Sequence, residues 1–331
     1  MDTFSFRTPI QLGKSKFNID HQTAIMCLGS CFAEHMAHKM DAVKFPVLLN
    51  PFGIVYNPLS IARSIDYLLE AKTFEERHLV QHNGLYHSFD HHSTFSKLSA
   101  QESLVLINHS LKEGSTFIQN TSYLIITFGT AFVFEHLQTG QIVANCHKFP
   151  NSDFKRYRLS IDAIVSKWQL VLKKLLAINP NIKVIFSVSP VRHIRDGLVE
   201  NQKSKATLLL AIDALMQQFT FVSYFPSYEM VLDDLRDYRF YEEDLIHPNS
   251  QSIQYIWHHF QQYFCEPVTI DLCKKIRKMV KATQHKAFHP LSEEHQNFLL
   301  KQLELVILLE KQFPFLDFIK EKNIFRNALI H

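Results

Sequence analysis

Four apolar runs rich in β-branched and aromatic residues stand out along the chain, from Ala24 to Leu28, Tyr123 to Phe128, Lys183 to Val188 and Thr220 to Tyr224. They do not alternate with polar positions, so they read as strands buried on both faces of a parallel sheet. Between them apolar residues recur at helical spacing. A stretch from Ser60 to Leu69 follows Pro58, one from Ser160 to Leu176 ends before Asn179-Pro180-Asn181, and a third runs from Lys205 to Gln218. Strands separated by helices predict an α/β three-layer sandwich with right-handed crossovers and ligands at the carboxyl ends of the strands. A small hairpin is expected from Phe132 to Glu135 and Gln141 to Asn145, turning at Thr139-Gly140. From Glu266 onward the pattern becomes helical with charged faces, and Pro290 and Pro314 divide it into two or three helices. The expected organisation is an α/β domain over residues 1–265 with a helical extension, 266–331, packed on it. Its stripe Leu299, Leu300, Leu303, Val306 and Ile307 reads as core or a dimer seam.

Composition narrows the function classes. Of the 331 residues 46% are hydrophobic and 20% charged, as in an ordinary globular protein, and a net charge of +3 is too small to argue for nucleic acid. The basic run from Cys273 to Lys278 reads as a solvated helix face. Met1 to Pro9 lacks a charged start followed by an apolar core, and no apolar segment reaches membrane-span length, so neither a signal peptide nor a membrane partner is expected. Cys27, Cys31, Cys146, Cys265 and Cys273 are odd in number and lack C-x-x-C spacing. A cytoplasmic protein with free thiols, rather than a disulfide framework or a structural zinc site, is the expectation. Oligomeric state is not legible.

The chemistry-bearing residues follow the strands. Gly29-Ser30-Cys31 ends the first run and opens a helical pattern, the layout of a nucleophile turn in which a side chain is lifted beside backbone N–H groups able to hold an oxyanion. Far downstream, Asp244-Leu245-Ile246-His247 places a carboxylate where it can fix an imidazole tautomer. His247 would then serve as general base and general acid. The bland alternative makes Asp244 the cap of a helix starting near Pro248 and His247 a surface residue. After the third run, Arg192 and His193 can bind substrate oxygens or an anionic group, or Arg192 can tie its loop to Asp196 or Asp237. His82, His87, His91, His92 and His147 with Asp90 invite a metal site, but no helical ligand pair supports one, and neither metal nor cofactor is expected.

Several motifs together resemble one family. Leu28-Gly29-Ser30-Cys31-Phe32-Ala33, Asn50-Pro51-Phe52-Gly53, Gly129-Thr130-Ala131, the run from Val143 to Lys148, Ser189-Pro190-Val191-Arg192-His193, the run from Asp237 to Tyr241 and Asp244-Leu245-Ile246-His247-Pro248 resemble the bacterial GSCFA family. That group looks related to SGNH (GDSL-like) esterases and acyltransferases. The likeness runs from about Phe6 into the C-terminal helices. It implies a flavodoxin-like sheet, a Ser–His–Asp triad and an oxyanion hole made by the nucleophile's N–H, a glycine N–H and an Asn side chain. Asp244 and His247 match the family pattern, and Gly53 is a candidate for the glycine donor. Where SGNH enzymes carry Gly-x-Asn this chain has Gly129-Thr130-Ala131, so the third donor must come from Thr130, Asn50 or Asn57, or be absent. An ungapped match puts Cys31 in the nucleophile's place, and a shift of one residue restores Ser30. The implied activity is hydrolysis or transfer of a short acyl group from an ester of a carbohydrate-like or other small polar substrate. A non-catalytic glycan-binding module is the alternative.

Overall fold

A computed structural model describes residues 8–13 and 15–329; the start of the stretch read for a signal peptide, residues 1–7, lies outside the described residues. Five strands, β1 (Ile25–Gly29), β2 (Val47–Leu49), β3 (Tyr123–Phe128), β4 (Lys183–Val188) and β5 (Val222–Tyr224), form one sheet in the order β5-β4-β3-β1-β2. Every pairing is parallel. This is the flavodoxin-like order, 2-1-3-4-5, whose switch point lies between β1 and β3. The chain turns one way out of β1 and the other way from β2 onward, and ligands of such folds bind in the crevice where those loops part.

The apolar runs become strands because both sheet faces are covered. Met26, Leu124, Ile126, Phe128, Val184 and Phe186 pack on one face, while Ile25, Cys27, Ile125 and Ile185 are equally buried on the other. Helices α1 (Cys31–Asp41), α2 (Pro58–Leu69), α3 (Ala100–Gln119), α4 (Ile161–Ile178) and α5 (Leu198–Gln218) connect the strands, and α6 (Ser250–Phe264) follows β5. Asn57 caps α2 with Pro58 in its first turn, and Ser160 caps α4. Trp168 of α4, fully buried between Phe128 and Phe186, donates its indole N–H to Pro58 O at 3.1 Å. Truncating such an aromatic to alanine costs about 3–5 kcal/mol.

Four short strands go beyond the sequence expectation. β2 is an edge strand of three half-buried residues, too short to stand out. The hairpin Phe132–His136 with Gln141–Val143 is present, and Phe154–Arg158 adds a third strand to it. A second hairpin, Val80–His82 with Leu85–His87, turns at Asn83-Gly84 with both φ values positive.

The chain divides into two compact units. One comprises residues 8–12, 24–37 and 47–257 and contains the sheet. The other gathers residues 13, 15–23, 38–46 and 258–329, including α7 (Pro267–Thr283), α8 (Glu293–Gln312) and α9 (Ile319–Asn327). Within it His21 stacks on Phe45 at 4.4 Å and Lys44 pairs with Glu321 at 2.9 Å. The buried face of α8 is Leu299, Gln302, Val306 and Leu309, which corrects the core reading of the stripe at Leu300 and Ile307, both exposed. The five cysteines are free thiols, and among the described residues no helix is long and apolar enough to cross a membrane.

Candidate active site

The corner after β1 is built on a glycine that nothing else can replace. Gly29 has φ +140°, and a Cβ there would lie 2.3 Å from Thr127 O of the neighbouring strand. Ser30 follows, with its N–H on Thr127 O at 3.3 Å and its carbonyl accepting from Ala33 N at 2.8 Å to start α1. Its Oγ is buried and has no partner. Cys31 is the first residue of α1 and the more accessible of the two. Burial raises the pKa of its thiol; hydrogen bonding from Phe32 N–H and the Lys205 charge pull the other way, and Glu34 adds to the rise.

Asn50 stands beside this corner. It adopts φ +41°, accepts Gly29 N–H on Oδ1 at 2.9 Å, and leaves Nδ2 buried without a partner. The other donors considered for the oxyanion are committed elsewhere. Gly53 N–H goes to Asn50 O at 2.7 Å in a tight turn. Asn57 spends Oδ1 on Ser60 N at 2.8 Å and Nδ2 on Ser60 Oγ at 2.9 Å. Thr130 Oγ1 bonds Ser204 Oγ at 2.9 Å and accepts Phe132 N–H at 3.2 Å.

A polar stripe on α5 fastens the loops after β3 and β4. Asn201 Oδ1 accepts His193 N–H at 2.9 Å, Ser204 Oγ accepts Ala131 N–H at 2.8 Å, and Lys205 Nζ donates to Gly129 O and Ser189 O, each at 2.7 Å. Burial pushes the Lys205 ammonium down to about 7. Gly129 N–H meets Tyr56 O at 2.8 Å, and His193 Nε2 would lie 3.2 Å from a Cβ at Gly129. That nitrogen is buried and unpartnered. Burial, with the charges of Lys205, His247 and Arg156 nearby, drops the His193 pKa to about 3, so the ring is neutral.

Asp244 and His247 form the dyad that their spacing suggested. Asp244 Oδ2 meets His247 Nδ1 at 2.6 Å, while Oδ1 accepts Ile246 N–H at 2.8 Å and His247 N–H at 3.0 Å in a turn with Leu245 at φ +58°. The N–H of His247, its ring and the N–H of Ile246 lower the Asp244 pKa to about 2. The carboxylate does not cap the next helix; Asn249 does, accepting Ser252 N–H at 3.1 Å. Arg192 departs from both structural partners expected for it. Its Nη1 donates to Leu245 O at 3.0 Å and its N–H to Ile246 O at 3.2 Å, while Asp196 is taken by Arg156.

His247 opens onto a cleft of ≈ 430 Å³ whose walls include Tyr56, Thr130, Phe134, Arg156, His193 and Arg195. No hydrogen bond joins His247 to Ser30 or Cys31, and neither lines that cleft. The structure therefore brings the dyad together with Thr130, Arg192 and His193, and brings Ser30 together with Gly29 and Asn50; between these halves lie Gly129 and Lys205. Sequence reasoning missed Lys205, Arg156 and Arg195. The signal for Lys205 was the polar continuation, Asn201, Ser204 and Lys205, of the core stripe Leu208, Ile212 and Leu215; the two arginines carried none.

The histidine cluster is a packed layer. His87 stacks on His147 at 4.5 Å, His91 on Phe52 at 4.7 Å and His82 on Phe149 at 4.2 Å, while Asp90 pairs with Arg63 at 2.6 Å. Among the described residues no three His, Cys, Asp or Glu are arranged to hold a metal.

Comparison with known proteins agrees with the motif order. No curated protein matches the chain. Among solved structures, a carbohydrate esterase family 3 protein from Talaromyces cellulolyticus aligns with 76% of this chain and 98% of its own at 12% identity and a TM-score of 0.37. So distant a likeness assigns neither activity nor substrate. The family models match almost end to end: the GSCFA family model covers residues 24–260 and the model of the GSCFA C-terminal domain covers 276–331. With the Gly29-Ser30-Cys31 corner, the switch-point loops and the Asp-x-x-His turn all inside the first match, this chain belongs to the GSCFA family.

Proposed function

We propose that the protein hydrolyses or transfers a short acyl group from an oxygen ester of a small polar substrate through Cys31, His247 and Asp244. The Asp244–His247 pair at 2.6 Å, with Nε2 of the imidazole unbonded beside a cleft at the carboxyl ends of the strands, carries this reading. Cys31 is preferred to Ser30 because it is the more accessible and heads α1, whose free N–H groups favour an anion. His247 takes the thiol proton as sulfur bonds to the acyl carbon, and the carbonyl oxygen becomes an oxyanion. Asn50 Nδ2, the uncommitted buried donor beside the corner, supplies the hydrogen bond that the absent Gly-x-Asn would give. Collapse breaks the ester C–O bond as His247 returns its proton to the leaving alkoxide. Water or an acceptor hydroxyl then resolves the thioester with His247 as base and restores the thiol.

Because burial holds the thiol above its ordinary range, proton removal is coupled to attack rather than completed beforehand. His247 must also approach Cys31, as apo sites often tighten with substrate. The test is turnover of 4-nitrophenyl acetate by Ser30→Ala, Cys31→Ala and His247→Ala, with iodoacetamide labelling of each. Loss in Cys31→Ala and His247→Ala supports the reading. Activity that survives both removes it. The separation of the dyad from Ser30 and Cys31 favours a second reading, a non-catalytic glycan-binding module, which absence of turnover together with measurable saccharide binding would support.

A further inference from the structure

We propose that the cleft beside His247 is a subsite for a negatively charged group of the substrate, a carboxylate or phosphate held by Arg195 and Arg156. Its place next to the ester rests on the acyl-transfer reading; its preference for anions does not.

Three guanidinium groups, from Arg156, Arg192 and Arg195, line this one cleft. Among the described residues a single carboxylate, Asp196, pairs with any of them, and it is bound by Arg156. Arg192 is spent on the dyad loop through Leu245 O. Arg195 has only Asn151 Oδ1 at 3.5 Å as a polar partner. The cleft therefore carries more positive than negative charge, and the neutral ring of His193 leaves that excess to the arginines.

The arginines are also held in position. Arg156 lies over Phe132 at 4.5 Å and over Phe134 at 5.1 Å, and Arg195 lies over Phe134 at 5.3 Å. Two guanidinium groups thus share one aromatic ring, an arrangement that opposes like charges unless an anion comes between them. Stacking fixes the planar fork that matches carboxylate and phosphate oxygens, so little freedom is lost on binding. Arg156 Nε is buried with no partner, as is Asp196 Oδ2. An ordinary solvated surface arginine keeps its Nε in water, which Arg156 does not. A cleft of ≈ 430 Å³ holds a small molecule, and His247 on its wall places the charged group close to the ester being cleaved.

The test compares kcat/KM for 4-nitrophenyl acetate and for the mono-4-nitrophenyl ester of succinic acid in wild type, Arg195→Gln and Arg195→Lys. Wild type is expected to favour the charged ester, and Arg195→Gln to lower that preference about tenfold, the size of one charge-assisted contact. Arg195→Lys should fall between them. A preference that is the same in wild type and Arg195→Gln overturns the subsite. Isothermal titration of succinate and of inorganic phosphate into the His247→Ala protein gives a readout free of turnover. Binding of either that weakens on adding Arg195→Gln supports the subsite and identifies the oxyanion; binding of neither overturns it. If anions bind and no ester is hydrolysed by wild type, the subsite stands and the acyl-transfer reading falls.

Discussion

Lys205 Nζ donates a 2.7 Å hydrogen bond to the carbonyl oxygen of Gly129, across the interval separating α5 from the loop after β3. A second bond of the same length reaches Ser189 O after β4, so one buried ammonium ties two strand ends together without a carboxylate partner. Burial pushes its pKa from 10.5 to about 7, with Cys31 opposing the change.

This makes stability rise with pH. Between about 7 and 10.5 the unfolded chain holds a proton on this amine that the folded chain has released. Unfolding free energy therefore climbs with pH in that window, by up to about 1.4 kcal/mol per unit. Urea denaturation from pH 7 to 9 should show the rise in wild type and a shallower one in Lys205→Met. Parallel curves would remove the account.

Three buried imidazoles act in the same direction at acid pH. Burial, aided by neighbouring cations, lowers His91 to about 3, His147 to about 4 and His193 to about 3. Each is neutral in the folded chain and takes up a proton on unfolding below about 6.5. Their contribution is complete above 6.5 and is lost as pH falls toward 4, at up to about 4 kcal/mol per unit for the three together. A combined His91→Phe, His147→Gln variant should show a visibly flatter stability profile from pH 6.5 to 4.5.

Asp244 is ionised far below assay conditions, its carboxylate held at about 2 by the N–H of His247, the ring of His247 and Ile246 N–H. An acidic limb in the rate profile between pH 4 and 7 thus belongs to another group. Asp244→Asn should lower kcat by roughly 10²–10⁴-fold with KM little altered. A KM effect of that size with kcat intact would make Asp244 a binding residue.

Gly29→Ala should abolish folding or cost several kcal/mol, because its Cβ meets Thr127 O at 2.3 Å on a neighbouring backbone that cannot yield. Gly13→Ala, where nothing lies within 4 Å, is the control and should stay within about 0.5 kcal/mol of wild type. Thermal melts of the two variants decide the matter.

What the sequence disclosed follows from how local each signal is. β1, β3 and β4 were legible because two-sided burial demands uninterrupted apolar residues, and the Asp244–His247 dyad because both members share one turn. Phe154–Arg158 was not, since Lys155, Arg156 and Arg158 make it read as a solvated loop when it is the outer strand of a small sheet. Lys205 escaped for a related reason: a lysine in a helix is ordinarily on the outside, and only the carbonyls of Gly129 and Ser189, remote in sequence, make its burial tolerable. Asn50 was one of three candidate donors, and its separation from Thr130 and Asn57 required knowing which amide groups had already found partners.

The double attachment of Arg192 to Leu245 O and Ile246 O changes what His247 is mounted on. His247 precedes α6 in the chain, yet its turn is latched to the loop leaving β4, and Lys205 anchors that loop through Ser189. The turn that carries this imidazole is therefore tied to a strand end as well as to α6, so a substitution that loosens Arg192 or Lys205 reaches His247 as well.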